Sequence, residues 1–313
     1  MEFKRGLATR TAYGEVLAEL GEENEDIVVL DGDLSKSTRT YMFAEKFPDR
    51  FFNVGIQEAN MVGLAAGLAS AGMIPFVSSF ACFLTSRAFD QMRVSVAYAE
   101  LPVKFVASHG GISGGEDGVT QQSIADLALM ASLPEVAVCV PADEHAARSL
   151  VPQLLERPTP CYLRTGRPKA PVVYEPGVEV SLGEAYVVRE GEDLTIVTQG
   201  LLVAESLKAA EKLSAAGIEA EVIDAHTMKP FDKQTVGKSA SKTGRVVVAE
   251  EHQIWGGLSS TVARELSSFC PVPMEFVAIE DTYAESGPGY ELLEKYGLTA
   301  PAIVDAANTV IER

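Results

Sequence analysis

Glu58 heads a segment of unusual composition, Val54-Gly-Ile-Gln-Glu-Ala-Asn-Met-Val-Gly-Leu-Ala-Ala-Gly-Leu-Ala-Ser-Ala-Gly72, and the next formal charge after it is Arg87. A carboxyl at the rim of such an uncharged stretch loses hydration, which favours its protonated form and suits it to proton transfer. The repeated Gly and Ala let a second body approach the helix closely. A first-turn acid that merely complements the helix dipole is the plainer reading, worth under about 1 kcal/mol. An apolar run this long also raises a membrane span, but Gly72 and Pro75 interrupt it and Ser78 and Ser79 follow. A buried helix leading into a buried strand fits better.

A second group with chemical potential is His109-Gly-Gly-Ile-Ser-Gly-Gly-Glu-Asp-Gly-Val-Thr120, with five glycines in ten residues framed by His109 and the Glu116-Asp117 pair. Glycines at that density let backbone approach a ligand, while His, Asp and Thr supply directed hydrogen bonds. Asp31-Gly-Asp33-Leu-Ser-Lys-Ser37 is a third polar turn. No further ligands follow Asp31 and Asp33 at metal-binding spacing, so no metal site is expected within the chain. The phosphate-loop, dinucleotide, nucleophile-elbow and zinc-protease patterns are absent. His145, His226 and His252 stand singly and read as structural or surface residues.

These turns need a scaffold, and apolar strands alternating with helices supply one. Helices are predicted near 9–20, after Glu58, at 84–98, 123–132, 143–155, 202–215 and 232–241. Strands are predicted at 26–30, 74–78, 103–107, 136–140, 161–163, 193–198, 220–224 and 245–249. Near-continuous apolar strands separated by helices indicate a parallel sheet covered on both faces. Residues 166–181 hold prolines and glycines without periodicity and read as a linker. The fold class is therefore α/β with two domains, 1–165 and 182–313, each a mostly parallel sheet flanked by helices. The polar turns fall where strands end, which is where such sheets bind ligands.

Lys and Arg total 26 against 44 Asp and Glu, a net charge of −18. That argues against nucleic acid and anionic membranes as partners. It also requires local arginines or helix N-termini to hold any anionic ligand. Cys82, Cys139, Cys161 and Cys270 are widely spaced with no CxxC, which favours reduced thiols and a cytoplasmic setting. Nothing after Lys4-Arg5 resembles a secretory leader.

Gly55-Ile-Gln-Glu-Ala-Asn-Met with Gly-Leu-Ala-Ala-Gly-Leu-Ala closely resembles the helix that carries the catalytic glutamate of transketolases. Gly115-Glu-Asp-Gly-Val-Thr resembles their Gly-Glu-Asp-Gly-x-Thr loop, and Glu251-His-Gln-Ile-Trp-Gly-Gly-Leu and Glu285-Ser-Gly resemble later family segments. The similarity runs along essentially the whole chain but matches only the pyrimidine-binding and C-terminal domains. It implies the C-terminal subunit of a split transketolase, moving a two-carbon ketol unit between sugar phosphates of the pentose phosphate type through thiamine diphosphate. The family's diphosphate-binding domain is missing. An N-terminal partner subunit is therefore implied, in an α2β2 assembly, holding most of the diphosphate and its Mg2+ or Ca2+.

The resemblance assigns roles residue by residue. Glu58 faces the aminopyrimidine and, with His109, is catalytic. Phe83 and Phe80 form the aromatic wall against the cofactor, and Asp33 is a further cofactor contact. His109, Asp117 and Gln121 face the sugar hydroxyls. Arg10, Ser37 and Arg164 grip the phosphate, with Arg167 as the alternative to Arg164. Gln121 stands where transketolases usually carry His, and Ser86 stands near an aromatic position, so the sugars could differ from the usual ones. The alternatives are the β subunit of a 2-oxoacid dehydrogenase E1 component, or a non-catalytic half.

Overall fold

Strand β1 (Ile27–Asp31) is buried along its whole length, and its side chains alternate between two cores. Val28 and Leu30 join Met61, Val62 and Ala65 on one side, while Ile27 and Val29 join Tyr13, Leu17 and Val151 on the other. A strand with no solvated face must be apolar throughout, and its neighbours must be helices on both sides. The computed structural model describes residues 2–313 of the 313-residue chain.

The remaining strands are β2 (Phe51–Asn53), β3 (Ile74–Phe80), β4 (Lys104–Ser108), β5 (Ala137–Cys139), β6 (Cys161–Arg164), β7 (Tyr186–Arg189), β8 (Leu194–Thr198), β9 (Ala220–Asp224), β10 (Thr227–Lys229), β11 (Val246–Gln253) and β12 (Met274–Ile279). They form a seven-stranded sheet ordered β10-β5-β6-β4-β3-β1-β2 and a five-stranded sheet ordered β12-β11-β8-β9-β7. All pairings are parallel except β10 with β5 and β7 with β9. The register sets Asp31 beside Ser78 and Phe80 beside Ser108. The polar turns after these strands therefore open on one edge of the first sheet.

Two expectations change in detail. The stretch read as one helix near 84–98 is broken into Ala81–Arg87, a short turn Phe89–Gln91, and a π-helical turn Met92–Ala97. The break comes at Ala88, whose φ of −113° leaves the helical range. Arg87 thus closes a helix on which Phe83 lies four residues earlier, on the same face. The second change concerns the division into domains. Strand β10 comes from the C-terminal part of the chain yet extends the first sheet, pairing Thr227 with Cys139.

Residues 166–181 contain no helix or strand, but they are tied down. Asp143 caps the helix Glu144–Glu156 through one oxygen and accepts the N–H groups of Val173 and Tyr174 at 2.8 and 2.9 Å through the other. Ser149 and Gln153 of the same helix donate to the Val180 carbonyl. All four cysteines are free thiols, Cys139 and Cys161 buried, Cys82 and Cys270 partly so. Among the described residues no helix is long and apolar enough to cross a membrane.

Candidate active site

Glu58 is the first residue of the helix Glu58–Ser70 and is only 3% exposed. The helix presents Met61, Val62, Ala65 and Ala69 to the core, whereas Gly63 and Gly67 face open space. The Glu58 carboxylate accepts a hydrogen bond from Arg87 Nη1 at 2.9 Å, and Arg87 lies 4.1 Å above the Phe83 ring. The sequence placed no cation near this acid. The helix break at Ala88 brings one there, within hydrogen-bond distance of the carboxylate.

From Phe83 the contacts continue without a gap. Phe83 stacks on Phe80 at 5.6 Å, and Phe80 stacks on His109 at 3.8 Å. His109 adopts a left-handed φ of 61°, an uncommon conformation for a non-glycine residue. Its Nδ1 lies 2.9 Å from the Ser108 hydroxyl and its Nε2 faces Asp117 at 3.7 Å. Burial, then Arg10 and Arg167, push the imidazole down to about 3. It is neutral at physiological pH, able to donate one hydrogen bond and accept another but not to act as a cationic acid.

Arginines surround this end of the site. Arg167 lies 3.9 Å from Asp117, donates to the Gly114 carbonyl at 3.0 Å and pairs with Glu116. Arg10 donates to the Ser37 carbonyl at 2.7 Å. Burial first, then Arg39 and Arg167, lower its guanidinium to about 10, and Asp117 opposes them. The Nε atoms of Arg10 and Arg39 are buried without a partner. Orphaned cationic donors converging in this way form a cradle for an anion, the local positive site that a chain of net charge −18 needs. Arg39 was not singled out from the sequence. Its signal lies in the turn itself: Asp31 accepts Leu34 N–H and the Thr38 and Thr40 hydroxyls, curling the loop so that Arg39 faces Arg10.

The other expected residues are placed as follows. Arg164 is not in the anion cradle. It is 4% exposed, 3.2 Å from Asp126, and donates to the carbonyls of Glu251 and Ser123. Its alternative, Arg167, takes the cradle position because it follows the strand rather than ending it. Asp33 is exposed at the β1–β2 edge, 2.9 Å from the Asn53 amide. Gln121 sits against the helix of Phe83, its carbonyl receiving Cys82 Sγ at 3.2 Å, and Thr120 donates to its side chain. Ser86 is exposed. Among the described residues no cluster of three or more His, Cys, Asp or Glu forms a metal site.

The second domain shapes this site directly. Glu251 at the end of β11 accepts Ser113 N–H at 2.6 Å, and Gln122 donates to the Glu285 carbonyl at 2.9 Å. Gly111 has φ 81° and lies so close that a methyl group there would be driven into the Glu251 carboxylate. Gly111→Ala is therefore expected to cost about 3 kcal/mol of stability, from left-handed strain and overpacking together. A denaturant midpoint equal to wild type would show that the loop does not need this approach.

Residues 5–172 match the family model described as transketolase, pyrimidine binding domain, and residues 183–303 match transketolase, C-terminal domain. The 6-deoxy-6-sulfo-D-fructose transketolase subunit of a Clostridium species (strain MSTE9) is 44% identical over 97% of this chain and 94% of its own. An apulose-4-phosphate transketolase subunit of Phocaeicola vulgatus is 35% identical over 98% of both chains. A solved split-gene transketolase, described as an inactive β4 tetramer, superposes with a TM-score of 0.91 at 48% identity, covering 98% of this chain and 99% of the other. The chain belongs to the transketolase family, as the subunit that carries the pyrimidine-binding and C-terminal domains of a two-chain enzyme.

Proposed function

We propose that this subunit, with a diphosphate-binding partner chain, transfers a two-carbon ketol unit from a ketose carrying a terminal anionic group to an aldose. The observation that carries the reading is the unbroken line Glu58–Arg87–Phe83–Phe80–His109–Asp117, ending beside the Arg10, Arg39 and Arg167 cradle. A buried carboxyl beside an aromatic face fits the edge and plane of an aminopyrimidine. Thiamine diphosphate, when bound, supplies the activated carbon that carries the two-carbon unit. Glu58 would hold and release the proton at the pyrimidine edge, while Phe83 and Phe80 set its plane. Neutral His109, with Asp117, would orient the sugar hydroxyls. Arg10, Arg39 and Arg167, with Ser37 beside Arg10, would bind the far end of the substrate, and Gln121 would face the sugar hydroxyls.

The same reading gives the partner its place. Ile56 is 70% exposed and Tyr98 88%, with Phe52, Leu64 and Val94 also exposed, and Gly63 and Gly67 leave room for a close neighbour. These residues come from β2, the turn before Glu58, its helix, the π-turn and the residue that follows it, and we assign them to an α2β2 interface. The partner would supply the diphosphate contacts and the Mg2+. The terminal group is a phosphate or a sulfonate, since both offer three oxygens to arginine forks.

Mixing the chain with its adjacent-gene partner, thiamine diphosphate and Mg2+ is expected to give ketol transfer from a ketose phosphate or sulfonate, and neither chain alone is expected to be active. Acyl transfer to lipoamide, or inactivity of every mixture, would defeat the proposal.

A further inference from the structure

We infer that Arg87 is a positioning residue which keeps Glu58 ionised until the cofactor arrives, so that seating thiamine diphosphate draws a proton onto Glu58 from solution. The inference rests on the proposed reading of Glu58 as the acid at the pyrimidine edge. Arg87 is bound to both groups assigned to that ring, the carboxylate at 2.9 Å and the Phe83 face at 4.1 Å. A flat guanidinium thus lies over the aromatic plane that the pyrimidine is to use. Among the described residues it is the only hydrogen-bond partner of the Glu58 carboxylate.

A ring nitrogen with a lone pair and an ionised carboxylate are both acceptors, so they bond only when a proton lies between them. A buried carboxyl without a cation would already hold that proton. With Arg87 beside it, the carboxylate stays charged and the proton must come from the solvent when the ring displaces the guanidinium. Arg87 can leave, because its side chain is 47% exposed while that of Glu58 is 3% exposed.

The other charged groups on the elements packed against the Glu58 helix are engaged elsewhere. The helix Ala81–Arg87 supplies Arg87 itself. The segment that follows it carries Asp90 and Arg93, which pair with each other at the surface at 2.6 Å. Strand β1 carries Asp31, whose oxygens are occupied by Leu34, Thr38 and Thr40. Strand β3 carries no charged side chain. Arg87 is therefore the group that sets the charge on this acid.

The test is calorimetric titration of the assembled two-chain protein with thiamine diphosphate and Mg2+ in buffers of different ionisation enthalpy. Protonation of the cofactor's diphosphate, remote from Glu58, is common to all variants and cancels in the differences. Wild type is expected to take up close to one proton more than Arg87→Gln, and its affinity is expected to fall about tenfold more per pH unit above neutrality. Arg87→Lys keeps the cation and should keep most of the uptake. Glu58→Gln should lose it with Arg87 intact, which covers the case in which Arg87→Gln folds poorly. Equal uptake in wild type and Arg87→Gln, or in wild type and Glu58→Gln, overturns the inference while leaving the cofactor reading standing. Failure of wild type to bind the cofactor overturns both.

Discussion

Replacing Glu58 by glutamine is expected to lower turnover of the assembled enzyme about 1,000-fold while the chain keeps its fold, since a positioned proton-transfer group contributes roughly 10²- to 10⁴-fold. Glutamine has the same length and still accepts a hydrogen bond from Arg87, so the helix start and the packing of Met61 and Val62 are preserved. It offers an amide N–H in place of a transferable proton. The change also removes a charge from a residue that is 3% exposed, and Arg87, being half exposed, is rehydrated. Stability should therefore move by no more than about 1 kcal/mol. Aspartate keeps the acid but falls one methylene short, so Glu58→Asp should be intermediate. The checks are steady-state turnover of the mixture and a denaturation curve of the subunit. Near-normal turnover of Glu58→Gln would remove Glu58 from the chemistry.

Arg10→Gln is expected to raise KM for the anionic ketose about 10- to 100-fold, with a smaller effect on kcat, because one charge-assisted contact is worth about 1.5–3 kcal/mol. Turnover of the same sugar lacking its phosphate or sulfonate should not change, which separates lost anion binding from a damaged site. The structural cost is small: Arg10 gives up one bond to the Ser37 carbonyl, and its repulsion with Arg39 and Arg167 is relieved. The same argument makes Arg167→Gln comparable and Arg164→Gln different. Arg164 bridges Asp126, Ser123 and Glu251, so its loss should appear as lost stability rather than as a raised KM. Equal losses on charged and uncharged sugars in Arg10→Gln would place this arginine outside the anion site.

Much of this was legible in the chain itself. Apolar runs such as Ile27–Leu30 and Val246–Ala249 are buried on both faces and could only be interior parallel strands. The motifs around Glu58 and His109 follow strands, and residue type marked them as candidates, a carboxyl at the edge of a long uncharged stretch and a His at the head of a glycine-rich loop. Local sequence determined these features because periodicity and turn chemistry act over a few residues.

Pairings between distant residues required the folded chain. Arg87 reaches Glu58 across 29 positions because a helix breaks at Ala88, and no local pattern reveals which way a side chain then turns. Arg164 and Arg167 are three residues apart, yet one ends strand β6 and is enclosed by Asp126 and Glu251 while the other turns out toward Asp117. The C-terminal domain lays Glu251 and Glu285 against the glycine loop from more than 130 residues away, with Glu251 bonded to Ser113 at a separation of 138. The sequence determined which groups could do the chemistry. Only tertiary packing decided which charge faces which, because that is set by burial and distance between elements and not by position along the chain.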